Sequence, residues 1–400
     1  MSIDRELFFR YVAQTSDEPI GLEVARARGV YFYTPDGKRY IDLISGVTVS
    51  NVGHCHPHVV EAIRRQSETY MHLMVYGEYV QSPQVRYAER LAALLPDPID
   101  NVYFVNSGSE AVEGAMKLAK RATGRSEVVG MRNAYHGSTH GALSLMGNEN
   151  FRYAFRPLLP DVRSLDYNSF DDLRHVTERT ACVILDPLQC ENGLVPPQAG
   201  YLAALADRCH EVGALLIFDE VQTAFGRCGD MFYCQRQGVT PDIVVMAKAM
   251  GGGMPLGGFA AQASLMRCFT SAPPLGHITT FGGHPVCCAA GLAALEVLTG
   301  DTGDKQPLWL DADRKGKRYA TALEGHRQVR AVRQEGLFVA VDLESEAHYW
   351  RLLDRFRHNG LVTDSFLYRL HSFRIAPPLT ITDEEIDESI ALLLQSLDEI

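Results

Sequence analysis

The run Leu216-Ile217-Phe218-Asp219-Glu220-Val221-Gln222-Thr223 and, further along, Asp242-Ile243-Val244-Val245-Met246-Ala247-Lys248 together decide the reading of the fold. Each carries a short apolar stretch without the polar alternation of a strand that faces water on one side. Ala181-Cys182-Val183-Ile184-Leu185 and Ala214-Leu215-Leu216-Ile217-Phe218 have the same character. Strands of this kind are buried on both faces, as in a parallel sheet covered by helices. Two of the runs end near reactive side chains, Asp219 and Lys248, and ligands of open α/β sheets bind beyond the carboxyl ends of the strands.

On the N-terminal side, Val102-Tyr103-Phe104-Val105 precedes a helical pattern from Glu110 to Arg121. A short helix opens the chain. Val30-Tyr31-Phe32-Tyr33 and Arg39-Tyr40-Ile41-Asp42-Leu43 then read as a hairpin around Pro35-Asp36-Gly37. Val59, Val60 and Ile63 give the segment after His56-Pro57 a helical apolar face. Beyond about residue 303 the character shifts through a polar, Asp-rich segment at 300–305, and Leu337-Phe338-Val339-Ala340-Val341 is a further strand. The expected fold is α/β, with a large central domain over residues 51–302 whose mostly parallel sheet is covered by helices. Residues 1–50 and 303–400 build a smaller α+β domain from the two chain ends.

A chain of 400 residues exceeds the usual span of one hydrophobic core, which fits two domains. Its 46% hydrophobic and 22% charged residues are ordinary for a soluble globular protein. The net charge of −11 without a long basic block argues against a nucleic-acid partner. Met1-Ser2-Ile3-Asp4-Arg5-Glu6 lead into no apolar stretch, so no signal peptide is expected. No apolar run approaches the roughly 18 residues that cross a bilayer. The nine cysteines, an odd number without repeated spacing, read as reduced thiols. A cytoplasmic protein without a membrane partner is expected.

A lysine at the end of a buried strand loses hydration, so its pKa falls and its amine becomes a nucleophile toward carbonyls, forming a Schiff base. Against this, Lys248 could simply extend its amine to water. Asp219 at its strand end suits the protonated ring nitrogen of an electron-accepting cofactor, or it caps the following helix. In Asn106-Ser107-Gly108-Ser109-Glu110-Ala111, glycine permits close backbone approach and the helix N-terminus presents N–H groups to a phosphate. Ser107 and Glu110 also fit a capping box, and the two readings are compatible. Neither GxGxxG nor GxxxxGK[ST] occurs in the glycine-rich stretch from Met250 to Phe259. His210-Glu211 lacks a second histidine one turn on. His54-Cys55-His56 is read as a structural turn in preference to a metal site, and no metal is expected.

Taken together these residues resemble the class III (omega-type) aminotransferases, pyridoxal 5'-phosphate enzymes of fold type I, and within them the acetylornithine and ornithine aminotransferases. The resemblance runs from Gly53-His54-Cys55-His56-Pro57 to Phe373-Arg374-Ile375-Ala376-Pro377-Pro378-Leu379, with the family signature over Leu216 to Gly226 and Pro241 to Gly253. It implies that Lys248 forms the Schiff base with the cofactor and moves the substrate proton, while Asp219 pairs with the ring nitrogen. Gln222 would bond the ring hydroxyl, Val221 would pack under the ring, and Tyr135, beside His136, would stack above it. Ser107, Gly108 and Ser109 would hold the phosphate, with Thr280 reaching it from the partner of a homodimer. Glu191, Arg374 and Tyr76 are the implied substrate residues: Arg374 binds a carboxylate, and Glu191 masks it in the other half-reaction. The pair also has a purely structural reading as an ion pair.

Implied partners are a small-molecule amine donor, acetylornithine-like as first candidate, and a keto-acid acceptor, 2-oxoglutarate, in a ping-pong transfer. Pyruvate-dependent omega-amine transfer and aminomutase or racemase chemistry are the alternatives. Three positions depart from the family pattern. Ser138 stands where those relatives carry arginine, which either argues against their donors or moves carboxylate binding to another residue such as Arg152 or Tyr76. Asp186 and Cys190 stand where glutamate and glycine are usual, close to Glu191.

Overall fold

The computed structural model describes residues 3–303 and 306–400. Asp304 and Lys305, from the polar segment expected to divide the domains, lie outside the described residues, as do Met1 and Ser2. A sheet of seven strands forms the centre, in the spatial order Asn101–Val105, Gly257–Ala261, Ile243–Met246, Leu215–Asp219, Thr180–Leu185, Glu127–Met131, Val162–Leu165. All pairings are parallel except the two made by Gly257–Ala261, which runs against both of its neighbours. The strands expected at 181–185, 214–218 and 243–246 are adjacent and fully apolar, and helices cover both faces.

Gly257–Ala261 was not foreseen, and its composition explains why. A Cβ at Gly257 would lie 2.4 Å from the Ser107 carbonyl, and one at Gly258 would lie 3.0 Å from the Tyr103 carbonyl. The strand is therefore made of small residues so that it can pass close beneath the 106–109 loop, and it lacks the bulky pattern that marks the others. Leu215–Asp219 pairs with Ile243–Met246 in a register that places Asp219 opposite Val245. That register sets the two reactive strand ends side by side.

Both chain ends meet in a second sheet. The expected hairpin, Tyr31–Tyr33 against Arg39–Asp42, is extended by Leu361–Val362, which pairs parallel to Arg39–Asp42. A third sheet orders Val329–Glu335, Phe338–Leu343, Arg369–Ile375 and Ser365–Phe366. Arg227 stitches these regions together from a fully buried position. Its guanidinium donates to the carbonyls of Leu337 and Pro377 at 2.8 and 2.7 Å and to Asn51 Oδ1 at 2.6 Å. Burial lowers its pKa to about 10.

Pro57–Thr69 is a helix capped by His56, but of its expected apolar face only Val59 is buried, and Val60 remains 48% exposed. All nine cysteines are free; Cys55 is exposed and Cys268 partly so. No helix among the described residues is long and apolar enough to cross a membrane.

Candidate active site

The strand Ile243–Met246 stops before Lys248, and Lys248 opens a 3-10 turn, Lys248–Gly251, with φ of +51°. A non-glycine residue in this left-handed region costs about 1–3 kcal/mol and persists only where its surroundings impose it. The turn directs the side chain into a cavity of about 510 Å³ rather than outward to solvent. Protein surrounds Lys248 on all sides, though part of its surface opens to the cavity. Burial lowers its pKa; the charge of Glu191 opposes the shift and that of Arg374 reinforces it.

Asp219 lies across the same cavity. It caps no helix: its Oδ1 accepts from the Val221 N–H at 3.0 Å, and its Oδ2 meets His136 Nδ1 at 2.7 Å. The next residue, Glu220, takes the helix-start role instead, accepting from the N–H groups of Tyr233 and Cys234 at 2.6 and 2.7 Å. Asp186 completes a buried group, with His136, Asp186 and Asp219 donor atoms within 4.8 Å of one another. Burial alone would lower the His136 pKa, but the charge of Asp186 and the bond to Asp219 outweigh it and raise it. Asp186 is raised in turn by burial and by the Asp219 charge, which the charge of His136 offsets only in part. His136 Nε2 and Gln222 Oε1 are buried polar atoms without a protein partner.

Ser107 caps the helix Gly108–Thr123, accepting from the Glu110 N–H at 3.2 Å. The reciprocal half of the expected capping box is displaced by one residue, because Glu110 Oε2 accepts from the Asn106 N–H at 2.7 Å. Gly108 leaves little room for a side chain, since a Cβ there would sit 3.2 Å from Val221 Cγ2. Gly137, at φ +120°, would place a Cβ 1.8 Å from Ser109 Oγ, which accepts from the Ser138 N–H at 3.1 Å. Ser107, Gly108, Ser109, Tyr135, His136, Asp219, Val221, Gln222 and Lys248 all line the one cavity.

Behind Gln222 lies the Glu191–Arg374 pair, almost fully buried. Arg374 Nη1 and Nη2 each donate to a separate Glu191 oxygen at 3.1 Å, Gln222 Nε2 donates to Oε1 at 2.7 Å, and the Leu367 N–H reaches Oε2 at 3.1 Å. Burial would raise the Glu191 pKa, but Arg374 overrides it and holds the carboxyl at about 2. Arg374 has a second acidic neighbour that sequence reasoning missed. Asp364 Oδ1 lies 2.6 Å from Arg374 Nε, off the line of a hydrogen bond. Burial lifts the Asp364 pKa to about 6 against the pull of Arg374. The Cys190 side chain is buried in an apolar cluster with Leu188, Leu194 and Cys228.

Not every expected residue converges. Tyr76 is half-buried and lines neither this cavity nor its neighbour. Thr280 is exposed and lines no cavity of its own chain among those described, while Thr279 accepts from Asn106 Nδ2 at 2.9 Å. Arg152 is committed elsewhere, to the carbonyls of Ser144 and Met146 at 3.1 and 2.9 Å and to Glu149. His54 pairs with Asp42 at 2.8 Å and His56 caps its helix, which accords with a structural turn. Val49, Met254, Pro255 and Leu256 also line the cavity. They belong to loops whose course no local pattern reveals.

The cavity suits pyridoxal phosphate. It has room for a ring, a helix N-terminus for the phosphate, and an amine within a carbonyl's reach. Two unsatisfied buried polar atoms, His136 Nε2 and Gln222 Oε1, sit beside it. Residues 11–397 match the family described as Aminotransferase class-III. The chain is 39% identical to the acetylornithine aminotransferase of Methanosarcina mazei over 97% of its own length and 94% of that protein's. Among solved structures, the ornithine aminotransferase of Toxoplasma gondii superposes with a TM-score of 0.89 at 28% identity, covering 99% of this chain and 95% of that one. The omega-transaminase of Thermomicrobium roseum gives 0.89 at 29%, over 98% and 97%. The chain thus belongs to the class-III aminotransferases, fold type I enzymes that depend on pyridoxal phosphate and move amino groups between small molecules.

Proposed function

We propose that the enzyme takes nitrogen from a primary amine and passes it to 2-oxoglutarate by a ping-pong route, as a cytoplasmic homodimer. The buried Glu191–Arg374 pair carries this reading. A bidentate guanidinium fits a carboxylate, and an internal carboxylate that can leave it lets one site take two unlike substrates in turn. When bound, pyridoxal phosphate supplies the carbonyl that receives the amino group and the ring that takes up an electron pair from the substrate carbon. Lys248 Nζ would be the base that moves the substrate proton, and burial lowers its pKa, which favours the neutral amine that this task needs. Asp219 would face the ring nitrogen, its orientation fixed from both sides by Val221 N–H and His136. Val221 and Tyr135 would hold the ring, Gln222, bonded to Glu191, would reach it from the side, and Ser107, Gly108 and Ser109 would receive the phosphate. Thr280 would join them from the second subunit.

For the donor, acetylornithine is the first candidate, supported by the names of relatives at 39% identity. A donor without a distal carboxylate, as in omega-amine transfer, is the second reading. It is favoured by Ser138 and by the full commitment of Arg152 to its own neighbours. The deciding experiment follows the visible absorption of the holoenzyme on adding L-glutamate alone. Bleaching is the expected result. An unchanged band would remove 2-oxoglutarate as acceptor and bring pyruvate, or an internal rearrangement such as an aminomutase or racemase performs, to the front.

A further inference from the structure

Beside the Lys248 cavity lies a second one of about 350 Å³, and Tyr135 forms a wall of both. Its remaining surface is mainly apolar: Leu143, Met146, Phe151, Phe155 and Leu367, with Ser138 at the junction. Phe151, Phe155 and Leu367 are 37, 56 and 36% exposed, so the chain presents apolar surface next to its reactive amine. Soluble proteins seldom leave such surface uncovered without a use for it. Leu367 joins the two sites directly, since its backbone N–H holds Glu191 Oε2. A molecule in this second cavity therefore borders both Tyr135 and the residue that fixes the mask on Arg374.

The cations around this cavity are spent. Arg152 is taken by Ser144, Met146 and Glu149, and Arg156 is bonded to both oxygens of Glu149. His140 Nε2 lies 3.2 Å from the Phe155 carbonyl. A carboxylate placed here would lose its water and find no free guanidinium, only the neutral hydroxyls of Tyr135 and Ser138 and the ring of His140, whereas an alkyl or phenyl group would lose nothing. A volume of 350 Å³ is about ten times the share of one water in the liquid, enough for a ring with a short chain.

The geometry points to this cavity as the seat of the donor's distal part, and to a donor that is a primary amine bearing an uncharged aromatic or branched alkyl group. This rests on the reading that the Lys248 cavity performs the transfer, and it takes up the second of the two donor readings above in place of acetylornithine. Ser138 and Phe151 then set specificity, one by admitting bulk without a charge and the other by supplying the apolar face.

The test uses the cofactor-loaded enzyme and three amines, 3-phenylpropylamine, N-acetylornithine and ethylamine, each scored by the rate of bleaching relative to L-glutamate with the same preparation. 3-Phenylpropylamine is expected to exceed each of the others by about 100-fold in kcat/KM, the scale on which apolar pockets discriminate. In Ser138→Arg and Phe151→Ser that advantage should fall by about tenfold or more. A calorimetric titration with 3-phenylpropanol, which cannot react, should show binding to the wild type and a matching loss in both variants. If glutamate bleaches the band but N-acetylornithine is preferred, or the ratio does not move in the variants, the assignment of the cavity is overturned. The same holds if the variants change only the dimer dissociation constant, since the apolar face would then serve the second copy. If glutamate fails and 3-phenylpropylamine succeeds, the acceptor reading falls while the donor assignment stands. If neither amine bleaches the band, both fall.

Discussion

Replacing Glu191 with glutamine separates a structural ion pair from a working mask. The carboxylate accepts four hydrogen bonds, two from Arg374 and one each from Gln222 and the Leu367 N–H. Removing one charge of a buried pair typically costs about 3–5 kcal/mol, because the other charge stays buried. Here Asp364 remains 2.6 Å from Arg374 Nε, so the lower end, about 3 kcal/mol, is expected. The acid–base behaviour gives the same scale: a carboxyl held at about 2 instead of 4.5 corresponds to roughly 3 kcal/mol. The folded pKa is depressed, so this stability is fully present above pH 4.5 and disappears as pH falls toward 2. Urea unfolding of wild type and Glu191→Gln, with cofactor saturating, should show the full gap at pH 7 and a narrowing gap in acid. Kinetically, an arginine that spends its time masked binds an incoming carboxylate more weakly by the fraction masked. The variant should therefore lower the KM for 2-oxoglutarate by about tenfold while impairing the donor half-reaction. A gap under about 1 kcal/mol at pH 7 together with an unchanged KM would refute the reasoning.

Lys248→Ala should retain the far-UV circular dichroism of the wild type yet lose the half-reaction with glutamate by at least about 10²–10⁴-fold, as expected for a proton-transferring group; a smaller loss in stopped-flow absorbance would remove Lys248 from its role. Gly137→Ala should force a Cβ against Ser109 Oγ at a φ of +120°, costing roughly 2–3 kcal/mol. Thermal unfolding and fluorescence titration should show a lower midpoint and cofactor affinity weakened about tenfold or more. Asp364 behaves oppositely to Glu191: its folded pKa is raised from 3.8 to about 6, so the fold is favoured by its protonated form and loses stability as pH rises from about 4 to 6. Asp364→Asn should abolish that loss, roughly 3 kcal/mol, in urea titrations across this range. An identical slope in the two proteins would exclude Asp364 as its source.

The parts of the fold that were legible are those where one force dominates locally. Val183, Ile217 and Val244 lie in strands whose apolar runs need burial on both faces, and nothing else in the sequence offered an alternative. Gly257-Gly258-Phe259-Ala260-Ala261 was illegible because its small residues answer to the close passage of the 106–109 loop, a constraint from 150 residues away. At the site, Lys248 and Asp219 could be found from their strand ends. Asp364 could not, because its importance comes from lying against Arg374, ten residues on, across a strand turn, and no spacing rule connects them. Asp186 was noticed only as an unusual residue. Its meeting with His136 and Asp219 follows from the order in which the strands assemble. Arg152 looked available in the sequence, and only the folded chain shows its donors already engaged.

Arg227 has a consequence for the order in which the molecule can be made. Its guanidinium leaves water for three neutral oxygens, belonging to Asn51, Leu337 and Pro377. During synthesis the first of these emerges long before the last, and until Pro377 is free of the ribosome the cation has no complete set of acceptors. Domains that depend on such late residues cannot finish folding as the chain is extruded. The seven-stranded sheet can gather early, but the loop after its middle strand that carries Arg227 must wait in water for the final tenth of the polypeptide. A nascent chain stalled short of residue 377 should thus remain open to proteases at the 224–230 loop, however well its central strands have paired.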